Sequence, residues 1–153
     1  MAKDVKIRKF DREEVNLLYK MIQATIDISY CKVYPAEAVD YFKECHSIGD
    51  ILNDAQHGYM VVAECNVEIL GTGTLLGSNV RRVYVDSAHQ REGIGKQIVA
   101  DIERRSKGLY LDLSASLASL PFWESCGYQI QREAFIPVRN DQKLRYYKMA
   151  KKI

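Results

Sequence analysis

The spacing of apolar residues changes along this chain between every second position and every third or fourth, and each change marks a predicted element. Apolar residues nearly alternate with basic ones over residues 5–10, which predicts a first strand. A helical stripe then covers residues 15–26, behind a capping-box pattern made by Asp11 and Glu14. Two further short helices are predicted between residues 35 and 57, the first beginning at its proline and the second behind a serine cap.

The middle of the chain predicts three consecutive strands joined by tight turns. These strands cover residues 59–64, 67–76 and 79–85. The second strand contains Gly71 and Gly73, and glycine inside a strand usually marks a bulge or a close approach by another backbone or a ligand.

The second half predicts a helix from Ile94 to about Lys107, then a strand, a short helix and a closing pair of strands. The later elements are placed at residues 109–113, 117–126, 128–131 and 144–149, with a polar connection at residues 114–116. The order predicts an α+β (α/β) fold in one domain spanning residues 1–153. Its sheet is expected to be mixed and mostly antiparallel, with six to seven strands and about four flanking helices.

Composition excludes some classes of function. The net charge of +2 gives no reason to expect a nucleic-acid surface. No apolar run approaches the roughly 20 residues of a membrane-spanning helix, and residues 1–4 begin no secretory signal. Four widely spaced cysteines without a CxxC pair predict reduced thiols, and a cytoplasmic location is the resulting expectation.

The segment from Gln90 to Lys96 is the strongest candidate for chemistry, because a strand, a loop with two glycines and a helix start together build an anion site. The first N–H groups of a helix have no internal partner, and the helix dipole adds positive potential there. Gly93 and Gly95 leave the main chain open to a ligand.

Two familiar phosphate-binding loops do not fit this segment. A Walker loop needs a glycine where Gln90 stands and a hydroxyl where Gln97 stands. A dinucleotide-binding loop needs a third glycine where Ile98 stands. Both spacings count against a nucleotide-binding protein.

The segment does resemble the signature of the GNAT N-acetyltransferase superfamily, in which a Val-x-Val strand precedes Gln-Arg-x-Gly-x-Gly. Here the strand is Val83–Val85 and the loop is Gln90–Gly95. A second stretch, Phe122-Trp123 followed by Gly127-Tyr128, is similar to that family's Phe-Tyr-x-x-x-Gly-Phe/Tyr helix. The order of elements over all 153 residues also fits the GNAT fold.

The resemblance implies acetyl-coenzyme A as cosubstrate and no metal. The pyrophosphate would lie on the main chain of the loop, and the pantetheine arm between the third of the middle strands and the strand at 109–113. The residues implied in coenzyme binding are Val83, Tyr84, Val85, Gln90, Arg91, Glu92, Gly93, Ile94, Gly95, Lys96, Ser116 and Phe122. The Glu92 side chain has the wrong sign for phosphate and is expected to face solvent. An ordinary solvated charge is the alternative for Arg91 and the favoured interpretation for Lys96.

The implied reaction is direct transfer of the acetyl group from the thioester to a primary amine, with a main-chain N–H from a bulged strand stabilising the oxyanion. The family's usual tyrosine acid is replaced by Trp123, whose indole cannot act as an acid near neutral pH. Bulk water, Tyr84, Tyr110 and Cys126 are the open alternatives for protonating the thiolate. Asp112 is the candidate general base, with a structural carboxylate as the alternative.

Two functional hypotheses follow from the resemblance. The first is an N-acetyltransferase acting on a small-molecule or peptide amine, with a homodimer as the default assembly. The second is a GNAT-fold module that binds acyl-coenzyme A without catalysis, which the replacement at Trp123 keeps open. The acceptor site is implied at residues 31–41 and 134–145. His46, His57 and His89 are interpreted as surface side chains, and no metal site is predicted.

Overall fold

The computed structural model of this chain describes residues 4–153 as a seven-stranded sheet with helices packed on both faces. The spatial order is β1-β2-β3-β4-β5-β7-β6, and β4 with β5 is the one parallel pair of neighbours among the described strands. The strands are β1 (Lys6–Lys9), β2 (Tyr59–Cys65), β3 (Glu68–Leu76), β4 (Asn79–Val85), β5 (Tyr110–Ser116), β6 (Gln129–Pro137) and β7 (Lys143–Lys152). The α-helices are α1 (Val15–Tyr30), α2 (Ala36–Glu44), α3 (Ile48–His57), α4 (Ile94–Arg105) and α5 (Leu120–Ser125).

This architecture confirms the predicted fold class, with five α-helices between residues 4 and 153 where about four were expected. The expectation that residues 1–4 begin no secretory signal rests mostly on residues 1–3, which lie outside the described residues. None of the helices between residues 4 and 153 combines the length and apolar character needed to cross a membrane. The four cysteines are free thiols, as predicted.

The first helix begins where the sequence predicts because side chains satisfy its first N–H groups. Asp11 accepts a hydrogen bond from the N–H of Glu13 at 2.9 Å, and Glu14 accepts one from the N–H of Asp11 at 3.0 Å. This capping box starts a short 3-10 turn that continues into α1. Ser47 caps α3 as predicted, whereas Pro35 is the N-cap of α2 and not its first helical residue.

Strand alternation divides the apolar residues between two cores, one on each face of the sheet. In β2, Val61 and Ala63 face a core closed by α4 and α5, while Met60 and Val62 face a core closed by α1, α2 and α3. A slip of one residue would exchange these two sets, so burial on both faces holds the strand in register.

A bulge in β4 shifts this alternation and leaves two residues, Arg82 and Val83, opposite Gly73 of β3. Arg82 has a left-handed backbone with φ of +57°, a conformation that costs a non-glycine residue about 1–2 kcal/mol. Val80 and Tyr84 are an even number of positions apart, yet Val80 belongs to the α4 core and Tyr84 to the α1 core. The bulge therefore turns Tyr84 toward α1.

β4 and β5 separate almost as soon as they begin. Their pairing is confined to Asn79 opposite Asp112, with a further bond from the N–H of Asp112 to the carbonyl of Ser78 at 3.0 Å. β5 makes its continuous ladder with β7 on its other side. The sheet is thus open between the later parts of two neighbouring central strands, toward Val85 and Ser116.

The predicted close approach at the two glycines of β3 is made by side chains of α4. A Cβ on Gly71 would lie 2.9 Å from Ile98 Cδ1. A Cβ on Gly73 would lie 2.6 Å from Ile98 Cγ2 and 2.9 Å from Ile102 Cδ1. Glycine here lets α4 pack directly on the strand, which places the start of that helix at the end of β4.

Several predicted boundaries were wrong at the C-terminal half. Residues 114–116 continue β5 and are not a loop, because they alternate between the core and the opposite face while pairing with β7. The last two strands are also longer than predicted, and α4 ends at Arg105. α5 is shorter than predicted because Leu117 and Ala118 belong to the turn that precedes it.

Replacing Gly73 with alanine should lower the free energy of unfolding by about 1–3 kcal/mol, because the new methyl group overlaps two isoleucines of α4. Urea unfolding monitored by circular dichroism measures this. Gly49→Ala is the matched control: it lies in α3 with its nearest atom at 3.9 Å, and a helical glycine changed to alanine should be neutral or stabilising by up to about 1 kcal/mol. Equal destabilisation by both variants would contradict the packing argument.

Candidate active site

Two adjoining cavities occupy the opening between β4 and β5. The outer cavity has a volume of about 620 Å³ and is lined by Val83–Val85, by most of residues 89–96 and by Phe122. The inner cavity has a volume of about 310 Å³ and is lined by Asn79–Tyr84 and by residues of β5. Four residues line both cavities, which therefore meet beside them: Tyr30, Val83, Tyr84 and Ser119.

The loop between β4 and α4 has a left-handed backbone at two positions. Gly93 has φ of +85° and is the N-cap of α4, and Arg91 is also left-handed with φ of +65°. Gln90 anchors the loop by donating from Nε2 to the carbonyl of Val85 at 3.1 Å. The first N–H groups of α4 therefore border the outer cavity, where they and the helix dipole favour an anion.

The two motifs of the sequence meet in space at Gly95. A Cβ on Gly95 would lie 2.9 Å from Cε1 and 3.0 Å from Cζ of Phe122. Phe122 lies in the first turn of α5 and is half-buried against the core below α4. A side chain at position 95 would therefore overlap the ring of Phe122 as well as obstruct a ligand at the loop. The glycine loop and the Phe122-Trp123 stretch are thus packed against each other.

Ten of the twelve residues predicted for coenzyme binding line the outer cavity. The ten are Val83, Tyr84, Val85, Gln90, Arg91, Gly93, Ile94, Gly95, Lys96 and Phe122. The side chain of Glu92 is exposed as expected and lies 3.5 Å from Nδ1 of His89. Ser116 lies instead on the inner cavity, buried and 2.9 Å from the hydroxyl of Ser119.

Arg82 and His46 form the polar side of the inner cavity, and Asp54 pairs with Arg82 from outside the lining. Arg82 Nη2 lies 2.5 Å from a carboxylate oxygen of Asp54, and both side chains are buried. The other terminal nitrogen of Arg82 donates to Nδ1 of His46 at 2.6 Å and to the carbonyl of Cys45 at 3.3 Å. The guanidinium thus bridges α3 to the segment that follows α2.

The interpretation of His46 as a surface side chain is wrong. The Nε2 atom of His46 lies 2.9 Å from the hydroxyl of Tyr84. The rings of the two residues pack edge to face, with centroids 5.1 Å apart. Burial, and then the nearby Arg82 charge, lower the pKa of His46 to about 3. His46 is therefore neutral near physiological pH. His57 is exposed, with Nδ1 2.8 Å from the carbonyl of Asn53.

Tyr84 stands where the two cavities meet. Its side chain is buried, and its hydroxyl lies 2.9 Å from His46 Nε2 and 3.5 Å from the hydroxyl of Tyr30. Burial, followed by the adjacent Tyr30, raises the pKa of Tyr84 well above its ordinary value. The phenol is therefore protonated and able to donate.

Trp123 also lines the inner cavity but serves mainly as packing. It is buried, and it makes edge-to-face contacts with Phe122 and Tyr128 at centroid distances of 5.1 and 5.2 Å. The two other donors weighed from the sequence are further removed. Tyr110 is 58% exposed at the start of β5, and Cys126 caps α5, and neither lines a cavity.

Asp112 is held in a structural role at the closed end of the opening. Its carboxylate accepts hydrogen bonds from Asn79 Nδ2 at 2.7 Å and from the hydroxyl of Ser78 at 3.0 Å. It lines neither cavity and sits at the single point where β4 and β5 pair. These contacts favour the structural alternative, so we do not assign the general base to Asp112.

Sequence reasoning missed four residues of the inner cavity and its border: Tyr30, His46, Asp54 and Arg82. One signal was available. Two consecutive arginines interrupt the apolar strand at 79–85, and regular alternation would place one of them on a buried face. A charge inside a central strand predicts a buried partner or a bulge, and both are present at Arg82.

Comparison with known proteins identifies the class to which this fold and loop belong. Residues 56–130 match the family model described as the acetyltransferase (GNAT) domain, a stretch that contains the loop and α5. This match identifies a GNAT acetyltransferase domain at residues 56–130, and the fold of the described residues agrees with it. The described residues include no cluster of three histidine, cysteine or acidic side chains suited to a metal ion.

Individual relatives are distant. The chain is 41% identical over 64 residues to the tRNA(Met) cytidine acetyltransferase TmcA of Pectobacterium atrosepticum, which is 39% of this chain and only 9% of that protein. Two solved structures share the fold. A GCN5-related N-acetyltransferase from Rhodopseudomonas palustris has a TM-score of 0.90 at 16% identity, covering 100% of this chain and 98% of that one. The PaiA N-acetyltransferase from Thermoplasma acidophilum, in complex with coenzyme A, has a TM-score of 0.77 at 17% identity, covering 98% and 99%.

The stability of the fold should depend on the protonation of His46. The unfolded chain binds a proton below the ordinary pKa of 6.5, whereas the folded protein resists it until a pKa of about 3. The contribution of neutral His46 to the free energy of unfolding is therefore fully present above pH 6.5, and it is lost as the pH falls toward 3. Between pH 7 and pH 5 the wild type should lose up to about 2 kcal/mol more than His46→Gln, measured by urea unfolding at each pH. Parallel losses in the two proteins would contradict the neutral buried imidazole.

Proposed function

We propose that this protein is an acetyltransferase that uses acetyl-coenzyme A to acetylate an amine. The observation that supports this most directly is the continuous opening from the α4 N-terminus to the inner cavity. An anion held at Gly93–Lys96 would leave its attached chain room to extend past Val83–Val85 to Tyr84. The relative from Thermoplasma acidophilum, which has the same fold, is described with coenzyme A bound.

Main-chain groups make most of the proposed donor site. The first N–H groups of α4 bind the pyrophosphate, and Arg91 and Lys96 add positive charge at the same cavity. The amides of the pantetheine arm bond to the edge of β4 that has no partner beyond Asn79. When bound, the coenzyme supplies an activated thioester, and the main chain of the β4 bulge lies beside the inner cavity as an oxyanion donor.

The inner cavity is the proposed acceptor site. Its lining includes Arg81 and Arg82 and, among the described residues, no carboxylate. Arg82 and Arg81 share the carboxylate of Asp54, at 2.5 and 3.4 Å, so the three side chains together keep a net positive charge. Arg81 is half-exposed, with its Nε bound to Asn79. A polyamine would meet positive charge here, so we favour an amine whose other groups are neutral or anionic. A homodimer stays a prediction.

One observation favours a second candidate, an acyl-coenzyme A-binding module without catalysis. Trp123 stands where the family's tyrosine acid is expected, and it is committed to packing against Phe122 and Tyr128. Such a module would bind the coenzyme as proposed and release no thiol with any amine.

Gly93→Asp should weaken acetyl-coenzyme A binding at least a hundredfold, because it places a negative charge and a strained left-handed residue at the phosphate end of the outer cavity. Isothermal titration calorimetry measures this. Gly77→Asp is the matched control, since Gly77 has φ of +62°, has no neighbour within 4 Å and lies at the other end of β4. Tight binding by Gly93→Asp, or equal loss in Gly77→Asp, would show that the loop is not the binding site.

Thiol release from acetyl-coenzyme A should be stimulated by amines that carry a carboxylate or a neutral aromatic group, and at least tenfold less by spermidine, because Arg81 repels a polycation. A thiol-reactive dye follows the release. Arg81→Gln should narrow the difference between the amines. Preference for spermidine would contradict the electrostatic argument, and coenzyme binding without release across a broad amine panel would support the non-catalytic module.

A further inference from the structure

The hydrogen bonds at the junction of the two cavities determine the direction in which the Tyr84 hydroxyl points. We propose that Tyr84 donates the proton to the leaving coenzyme sulfur, and that His46, held by Arg82, orients the Tyr84 hydroxyl for this step. This inference rests on the proposed acetyl transfer. Tyr84 is the catalytic residue in this proposal, and His46 and Arg82 are positioning residues.

The tautomer of His46 follows from its partner. A guanidinium can only donate hydrogen bonds, so Arg82 Nη1, at 2.6 Å, requires Nδ1 of His46 to accept. The proton of a neutral imidazole is then on Nε2, which lies 2.9 Å from the hydroxyl oxygen of Tyr84 and donates to it. Because the Tyr84 oxygen accepts this bond, its own proton must point toward a different acceptor.

Among the described residues, the one other side chain within hydrogen-bonding distance of the Tyr84 oxygen is Tyr30. Its hydroxyl is the donor in that contact, and the separation of 3.5 Å is beyond the usual O–H···O distance of about 2.5–3.0 Å. Tyr84 and Tyr30 both line the two cavities where they meet. The Tyr84 proton is therefore available to an acceptor atom at the junction, which is where a thioester extending from the loop would lie.

The proposed step conserves protons and electron pairs. The acceptor nitrogen forms a bond to the thioester carbon as the C–S bond breaks, and the electron pair of that bond stays on sulfur. The Tyr84 hydroxyl gives its proton to sulfur, and its oxygen takes a proton from the nitrogen that has formed the amide. His46 Nε2–H keeps its proton throughout and stabilises the charge that develops on the Tyr84 oxygen.

Several other groups face Tyr84 and must be considered in any pH measurement. Tyr30 approaches from α1, Cys45 and His46 from the segment after α2, and Arg82 from β4 itself. Asp54 balances the charge of Arg82. Comparison of variants that differ at one of these groups isolates its effect from that of the others.

The test measures the pKa of the coenzyme A thiol in its complex with the protein. This pKa is obtained from the pH dependence of the dissociation constant. Desulfo-coenzyme A, which has no thiol, is the reference ligand. The measurement needs no acceptor. A hydrogen-bond donor at the sulfur stabilises the thiolate and so lowers the pKa of the bound thiol. Tyr84→Phe should therefore raise this pKa by about one unit relative to wild type. That shift corresponds to a tenfold change in the ratio of the dissociation constants measured at high and at low pH. Tyr59→Phe, which loses a bond to Asp101 away from both cavities, should leave it unchanged.

His46 variants test the positioning role. His46→Leu should raise the bound-thiol pKa in wild type and should have no further effect in the Tyr84→Phe background, because it acts through Tyr84. His46→Gln, which keeps an N–H donor on a side chain of similar reach, should restore part of the shift.

Three results would overturn the inference. Equal bound-thiol pKa values in wild type and Tyr84→Phe would remove Tyr84 as the donor. A His46→Leu effect that persists without the Tyr84 hydroxyl would remove the positioning role. Failure of coenzyme A to bind the wild type at all would overturn the proposed function itself, and the first titration reveals this before any variant is made.

Discussion

Arg82 and Asp54 form a buried ion pair that holds β4 in the bulged shape on which the candidate site depends. Their side chains are 5% and 7% exposed. Leaving a buried charge without its partner costs about 3–5 kcal/mol, which exceeds the roughly 1–2 kcal/mol of the left-handed backbone at Arg82. The pair therefore secures the bulge, and the bulge turns Tyr84 to the α1 face and places His46 beside it.

Contact between Gly95 and Phe122 joins the loop at Gln90–Gly95 to the rest of the opening. The ring of Phe122 occupies the space that a side chain at Gly95 would need, so α4 and α5 approach each other over the outer cavity. Gly71 and Gly73 have the same effect along another face of α4, where its isoleucines pack on β3. Helix α4 is thus positioned by missing side chains on both sides.

Features that depend on local backbone conformation could be predicted from the sequence. The glycine loop before α4, the capping box at Asp11 and the glycine-rich strand are each recognisable from a few consecutive residues. The polar side of the inner cavity could not, because His46 and Arg82 are 36 positions apart and come together only when the segment after α2 meets the bulged strand. The end of β5 was missed for a related reason: its serines are favoured as strand by pairing with β7 and not by their own propensity.

The opening between β4 and β5 also explains how a tryptophan can stand where relatives are expected to carry a tyrosine. Trp123 belongs to the core on the α4 side of the sheet, and Tyr84 belongs to the core on the α1 side. An atom lying in the gap between the two strands is in the plane of the sheet, so it can be approached from either face. The bulge brings a phenol to this gap from the α1 face, so under the role proposed for Tyr84 position 123 need not donate a proton and can take the larger ring that packs on Tyr128.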